Sequence, residues 1–471
     1  MAIKPPLITN AGVQPGKIKF FTISKKTGDG TIPIDITGAI SEFFFYESVL
    51  SNSVTATAVI VDTGTVARDN YDYKTNGLIN GYQLVGGERV DFAVEDNNPR
   101  NAGNNLSILN PPNGMYINRI RDIGNSGLKN TFAIDLVTPE FITNEKTRLT
   151  QRYDGKISNH VKDILNLLTA EELKYEGRLE PEIEETSINY NFIGNEKKPL
   201  YSCTWLATKS SPNSHRSIGT LPGYFFYQTR NRFHFVSVAS RISGLNFNKP
   251  IKKYLYNGTG KLDDTQYDAN ILTYAVDQTI DLGKDLALGT YNNRSIFFDP
   301  VGMNYRFVDY DIVKDGNLSA EDYPTREITE SPTRLMYHVL DIGTLPEGVN
   351  SDQQLQKWKT DINEPNYKAD QLMAQAIMRY NEIFHKQIKI TLPGDFVIEA
   401  GDIIDCDFQS LNSDEIDKKT SGRYMVASVC HKITPTETFT TADLITDVDE
   451  KQLTNQDVAS EISRFAESGR V

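Results

Sequence analysis

Gly87-Glu88-Arg89-Val90-Asp91-Phe92 and Gly401-Asp402-Ile403-Ile404-Asp405-Cys406 are the two stretches that decide how this chain is read. Each opens on a glycine and an acid, and the first runs on with the clean alternation of a half-buried strand. Working outward, each is second in a series of four. The early series is Ala56-Thr57-Ala58-Val59-Ile60, the glycine-acid strand, Gly114-Met115-Tyr116-Ile117-Asn118-Arg119-Ile120, and Thr131-Phe132-Ala133-Ile134-Asp135-Leu136. The late series is Ile388-Lys389-Ile390-Thr391-Leu392, the glycine-acid strand, Gly422-Arg423-Tyr424-Met425-Val426-Ala427-Ser428-Val429, and Phe439-Thr440-Thr441-Ala442-Asp443-Leu444. In both, a glycine opens the third strand and a polar turn leads to the fourth, as expected where a strand starts after a bend. Two unrelated meanders would share the alternation. The shared order and spacing favour a duplication, giving two small barrels or curled sheets of one design.

The rest of the chain fits around these blocks. Lys17 to Thr150 reads as strands, including Ile40 to Phe45 and the β-branched run Val54 to Val61. Helix enters at Ile157, Val161, Ile164, Leu165 and Leu168, which share one face, with Ser158 as the expected N-cap. Glu171 to Glu185 is acidic and reads as a solvated segment, and a short helix is expected over Leu200 to Lys209. A hairpin-like stretch joins Tyr224-Phe225-Phe226-Tyr227 to Arg232-Phe233-His234-Phe235-Val236. Ala369, Leu372, Met373, Ala376, Ile377, Tyr380 and Phe384 form the clearest amphipathic helix, with Pro365 ahead of it. The expected fold class is mainly β with minor α. Its parts are an N-terminal arm (1–16), a first barrel (17–150), an inserted α+β domain (151–264), a discontinuous second barrel (265–310 and 370–447), an insertion or linker (311–369) and a tail (448–471).

Composition narrows the function. The 471 residues carry a net charge of −13, which argues against wrapping nucleic acid but not against a channel through which it slides. No apolar run is long enough to span a membrane, so no membrane anchor is expected, and Met1 to Gln14 lacks a secretion-signal pattern. Cys203, Cys406 and Cys430 form no CxxC pair and suit a reducing compartment as small buried apolar groups. His160, His215, His234, His338, His385 and His431 are scattered, without metalloprotease spacing. There is no nucleophile elbow and no phosphate loop. Asp405 and Asp407 share a strand face, as solvated strands often show, so neither a catalytic residue, a cofactor nor a metal is expected.

Three passages resemble one family. Ile40-Ser41-Glu42-Phe43-Phe44-Phe45-Tyr46-Glu47-Ser48, followed by a turn and Val54 to Val59, looks like its opening hairpin. Gly289-Thr290-Tyr291-Asn292-Asn293-Arg294-Ser295-Ile296-Phe297-Phe298-Asp299-Pro300 looks like a stretch of its cyanophage branch, and Phe396 to Asp447 is similar to its closing barrel. The chain thus resembles, from about 17 to 447, the central baseplate hub proteins of T-even-like contractile-tailed bacteriophages. That resemblance implies a homotrimeric ring with pseudo-six-fold symmetry in the virion, assembled in the host bacterial cytoplasm. Its implied partners are a separate tail spike protein, a tail tube or tube-initiator protein and other baseplate proteins, with DNA passing through without specific binding. Contact faces are expected on the strands around Phe43, Phe45, Val54 and Val59 and around Ile388, Ile390, Ile403 and Phe408. Two other readings stand beside this one. The base of a contractile injection or secretion device would usually carry a fused needle, which this chain lacks. A carbohydrate-active β-protein would depend on Asp402 or Asp405.

Overall fold

The computed structural model describes residues 16–28, 30–64, 77–101, 108–111, 114–168, 179–187, 189–213, 223–243, 251–256, 269–277, 282–300, 303–311, 331–341, 387–409 and 420–446, with isolated positions at 343–384, 416 and 417. The N-terminal arm (apart from Gly16), most of the linker and the tail lie outside these residues, as do Ala369, Met373 and Ile377 of the expected helix. Of its described positions Leu372, Ala376 and Tyr380 are helical, and Phe384 lies in a turn.

The first module contains β1 (Lys17–Thr27), β2 (Gly30–Asp35), β3 (Ile40–Ser48), β4 (Thr55–Asp62), β5 (Arg89–Glu95), β6 (Ile108–Leu109), β7 (Met115–Ser126) and β8 (Lys129–Val137). Its main strands run in the order β3-β4-β8-β7-β5-β1-β2. The sheet rolls on itself: Phe43 on β3 lies 4.9 Å from Phe92 on β5, strands well apart in that order, and both meet Phe21 on β1. Burying these rings, each at 0% exposure, supplies the module's core, at roughly 1.5–3 kcal/mol per side chain.

A compact α+β unit follows, with α1 (Pro139–Lys146), β9 (Arg152–Tyr153), α2 (Ile157–Leu168), β10 (Glu182–Ile183), β11 (Phe192–Ile193), α3 (Pro199–Ala207), β12 (Tyr224–Gln228), β13 (Phe233–Ser237) and α4 (Val238–Ser243). The apolar face of α2 packs with Cys203, Leu206, Phe226 and Phe235. Ser158, expected as a cap, lies inside α2, where its N–H donates to the Thr186 hydroxyl at 3.1 Å. The described end of the acidic segment is not merely solvated. Glu182 sits in β10, paired parallel with β13, and accepts from His234 and Arg241.

The second module contains β14 (Lys252–Tyr256) and β15 (Thr273–Asp277). Between β15 and the rest of that module come α5 (Leu282–Leu288), β16 (Asn292–Asp299), β17 (Asn304–Asp311) and β18 (Arg334–Val339). The second module resumes with β19 (Gln387–Pro393), β20 (Ile403–Phe408), β21 (Gly422–Ile433) and β22 (Thr438–Ile445). The order β15-β19-β22-β21-β20-β14 also curls: Tyr274 on β15 lies 4.6 Å from Tyr256 on β14 and 4.7 Å from Phe408 on β20. Two boundaries differ from the sequence reading. Residues 292–299 and 304–310 leave the second module for a separate sheet, β17-β16-β18, and residues 252–256, placed in the inserted domain, belong to the second module.

The fold is mainly β, and fourteen of its strands form one continuous sheet because β3 pairs with β21.

Candidate functional site

The two modules match over four strands. β4-β8-β7-β5 in the first and β19-β22-β21-β20 in the second have the same order and the same antiparallel pairings. The correspondence extends to irregularities. β7 shifts register against β8 between Ile117 and Arg119, and β21 shifts against β22 between Val426 and Ser428. Arg119 then faces Asp135 as Ser428 faces Asp443. Such bulges are specific devices for twisting a strand.

The glycine-acid corner repeats in its bonds to the third strand. Gly87 N–H donates to the Ile117 carbonyl at 2.7 Å and Ile117 N–H donates to the Glu88 carbonyl at 3.0 Å. Gly401 N–H donates to Val426 at 2.8 Å, and Val426 N–H to Asp402 at 2.8 Å. The acid side chain accepts the N–H three residues back in both cases, Val85 to Glu88 at 2.8 Å and Glu399 to Asp402 at 3.0 Å. The φ angles are +86° at Gly87 and +84° at Gly401, a conformation that disfavours any Cβ.

The joint between modules is the second feature. β3 and β21 pair antiparallel from Phe43↔Ile433 to Ser48↔Ser428, with Tyr46 opposite Cys430. Lys432 Nζ lies 5.2 Å from the Phe44 ring and 3.8 Å from Glu42. Two buried polar clusters lock the joint. In the first, Glu47 accepts the N–H of Arg230 at 2.7 Å and of Ala400 at 3.2 Å, and Arg230 Nε donates to Glu399 at 2.8 Å. Burial, then the neighbouring Glu399 charge, pushes the Glu47 carboxyl up to about 8. In the second, Asp96 accepts the Phe396 N–H at 3.0 Å and an Asn101 amide N–H at 2.8 Å. The same amide reaches Asp395 at 2.9 Å, while Lys252 Nζ lies 2.7 Å from both Asp395 oxygens and the Tyr254 hydroxyl donates to one of them at 2.7 Å. Burial would raise Asp395, but the Lys252 charge and these hydrogen bonds hold it below the usual carboxylate range. Burial lifts Asp96 to about 6.

The residues expected on contact faces lie elsewhere. Phe43, Phe45 and Val54 are in the first core, Ile388, Ile390 and Phe408 in the second, and Ile403 in the layer between the second module and the β12–β13 hairpin. Each is at most 2% exposed, so none is available to another chain; only Val59 is half-buried. The apolar strand character of these residues reports burial, and what covers them is the chain's own core. The polar joint residues Glu47, Asp96, Lys252 and Asp395 were missed. For the three acids the one sequence signal is a carboxylate at the end of an apolar strand or beside it, which is weak, and Lys252 has none.

Other candidates for chemistry are engaged structurally. Asp405 pairs with Arg423 at 3.3 Å and Asp407 with Lys253 at 2.7 Å. His160 bonds the Tyr190 carbonyl, and His431 lies between Thr440 and the Ile398 carbonyl. Burial, then the Arg230 charge, lowers His431 to about 3. Burial alone would raise Glu182, but the His234 hydrogen bond and the Arg241 charge outweigh it and hold the carboxyl down at about 2. Cys203 and Cys406 are buried, with their thiols pushed up by burial. Among the described residues, no group of three or more His, Cys, Asp or Glu is placed to hold a metal, and no helix is long and apolar enough to cross a membrane.

No protein-family model and no curated protein matches the chain. The solved structures it resembles include phage tail and baseplate proteins. A tail protein from Neisseria meningitidis MC58 is 10% identical, with 91% of this chain and 97% of that one covered at a TM-score of 0.47. The 43 kDa tail protein of prophage MuSo2 from Shewanella oneidensis is 9% identical, with 90% and 98% covered at a TM-score of 0.46. An E. coli component of the type VI secretion system, described as structurally similar to T4 bacteriophage tail proteins, is 9% identical, with 92% and 77% covered at a TM-score of 0.38.

Proposed function

We propose that this chain is a structural protein of the phage tail, the central hub of a contractile-tail baseplate. Three copies close a ring of six like modules, so a three-fold spike on one side meets a six-fold tube on the other. The observation that carries this reading is the duplicated module, with its shared strand order, shared bulge and shared glycine corner. A subunit with two complementary ends generates a ring where the rotation closes. The work done is mechanical, with no bond made or broken. The net charge of −13 suits a channel wall to which passing DNA does not adhere. Assembly in the host cytoplasm fits cysteines left unpaired, Cys203 and Cys406 of them buried.

Light scattering on the purified chain, alone and mixed with its spike, tests the proposal. The expected result is a trimer in at least one condition. A monomer in both overturns it.

A further inference from the structure

Inside one chain, β21 holds two strands along one edge. Its first half pairs with β20 (Ile403↔Met425, Ile404↔Tyr424) and its second half with β3 (Ser48↔Ser428 through Phe43↔Ile433). The counterpart of β21 is β7. Its first half holds β5 in the matching way, Arg89↔Tyr116 and Val90↔Met115. Beyond the shared bulge, however, no strand among the described residues lies on that edge of β7. Arg119 and Asp122 through Ser126 are exposed there, with Ile123 at 57%.

The missing piece has a counterpart too. β15 lies antiparallel on β19 as β3 lies on β4, and Tyr274 faces Ile390 as Phe43 faces Ala58. Both rings turn into their own module's core. β15 ends the sheet, and its outer edge carries no strand among the described residues. Each chain therefore contains one completed joint, β3 on β21, together with one further strand of the donating kind and one vacant edge of the accepting kind.

We infer that β15 of one copy pairs antiparallel with β7 of the next, repeating between chains the joint that β3 and β21 make within one. The inference rests on the ring reading above and specifies its contact. It is a head-to-tail contact, the type that generates rings when the rotation closes, and it covers two edges that would otherwise be open to indiscriminate pairing. The internal joint fixes the register. Tyr46 opposite Cys430 becomes, by strand position, Asp277 opposite Arg121. β7 has a second irregularity between Arg121 and Gly124, so the register is transferred at the Arg121 position alone.

The test uses the full chain. Arg121→Cys combined with Asp277→Cys, under mild oxidation, should give a denaturing-gel ladder of linked chains that ends at the copy number of the ring. Each single variant should stay monomeric on the gel, since Cys203 and Cys406 are buried and Cys430 is half-buried. Hydrogen exchange on the unmodified chain supplies a second measurement, independent of whether the variants fold. Amides of 119–126 and 273–277 should exchange at least about tenfold more slowly in the ring than in dilute monomer. A ring that forms with neither the ladder nor the protection overturns this joint and leaves the ring reading intact. Failure to form a ring, alone or with the spike, overturns the ring reading and the joint together.

Discussion

Replacing the two corner glycines by alanine separates backbone strain from packing, because the corners are alike in hydrogen bonding and differ in surroundings. At Gly87, φ is +86° and an added Cβ meets nothing within 4 Å. Gly87→Ala should therefore cost only the left-handed conformation, about 1–2 kcal/mol. At Gly401, φ is +84° and the same Cβ would sit 2.0 Å from the Tyr227 hydroxyl oxygen and 2.8 Å from the ring carbon that bears it. Tyr227 is fully buried, so relief needs a shift in the layer that binds the hairpin to the second module. Overpacking of that kind adds about 1–3 kcal/mol, so Gly401→Ala should cost about 2–5 kcal/mol. Adding Tyr227→Phe to Gly401→Ala removes the nearer contact and should recover part of the excess. Tyr227→Phe alone should be close to neutral, because its buried hydroxyl has no hydrogen-bond partner among the described residues. Urea unfolding of the four variants, read as a double-mutant cycle at 401 and 227, measures each term. Equal losses at 87 and 401, or no coupling between 401 and 227, would refute the reasoning.

Lys252→Met should cost about 3–5 kcal/mol, because it leaves the buried Asp395 carboxylate without its cation. Adding Asp395→Asn should return part of that loss, and a double variant no better than Lys252→Met by urea midpoint would contradict the pairing. The Glu47 carboxyl, pushed up to about 8, holds a proton that the unfolded chain releases near 4.5. Its contribution is therefore complete below pH 4.5 and is lost as pH rises through 8. Stability of the wild type relative to Glu47→Gln should fall across that window, by up to ~1.4 kcal/mol per pH unit. Parallel pH profiles for the two proteins would exclude the assignment.

What could be read from the sequence was local. The glycine-acid corner is set by a backbone conformation and an N–H three residues away, so its signature sits within a few positions and survives in both copies. Strand character in Ile388 to Leu392 was readable for the same reason, since alternation reports burial. Alternation does not report what does the burying. Phe43 and Ile390 have the pattern of contact residues and of core residues alike, and the curl that brings β3 over β5 decides between them. Ile296-Phe297-Phe298 is likewise an apolar strand that fits either sheet. It joins β18, a parallel partner distant in sequence, and local composition does not encode that choice.

The polar clusters were unreadable for a different reason, and they explain why the joint is directional. Lone acids such as Glu47, Asp96 and Asp395 look like surface charges until the chain brings Ala400, Phe396 and Lys252 to them. Strand pairing by itself is tolerant of register, because every residue offers the same backbone groups. A carboxyl that must meet a given N–H or lose several kcal/mol fixes which edge meets which. The same logic bears on the joint between copies. Strand position puts Asp277 opposite Arg121, whose guanidinium already meets Asp135 at 2.9 Å. If charge, rather than shape alone, sets the order of modules around a ring, Arg121→Glu should weaken assembly while the internal β3–β21 joint, which lies far along the sheet from it, stays paired. Hydrogen exchange read separately at 43–48 and at 119–126 distinguishes the two edges in one experiment, and simultaneous loss of protection at both would show that the joints are not independent copies of one design.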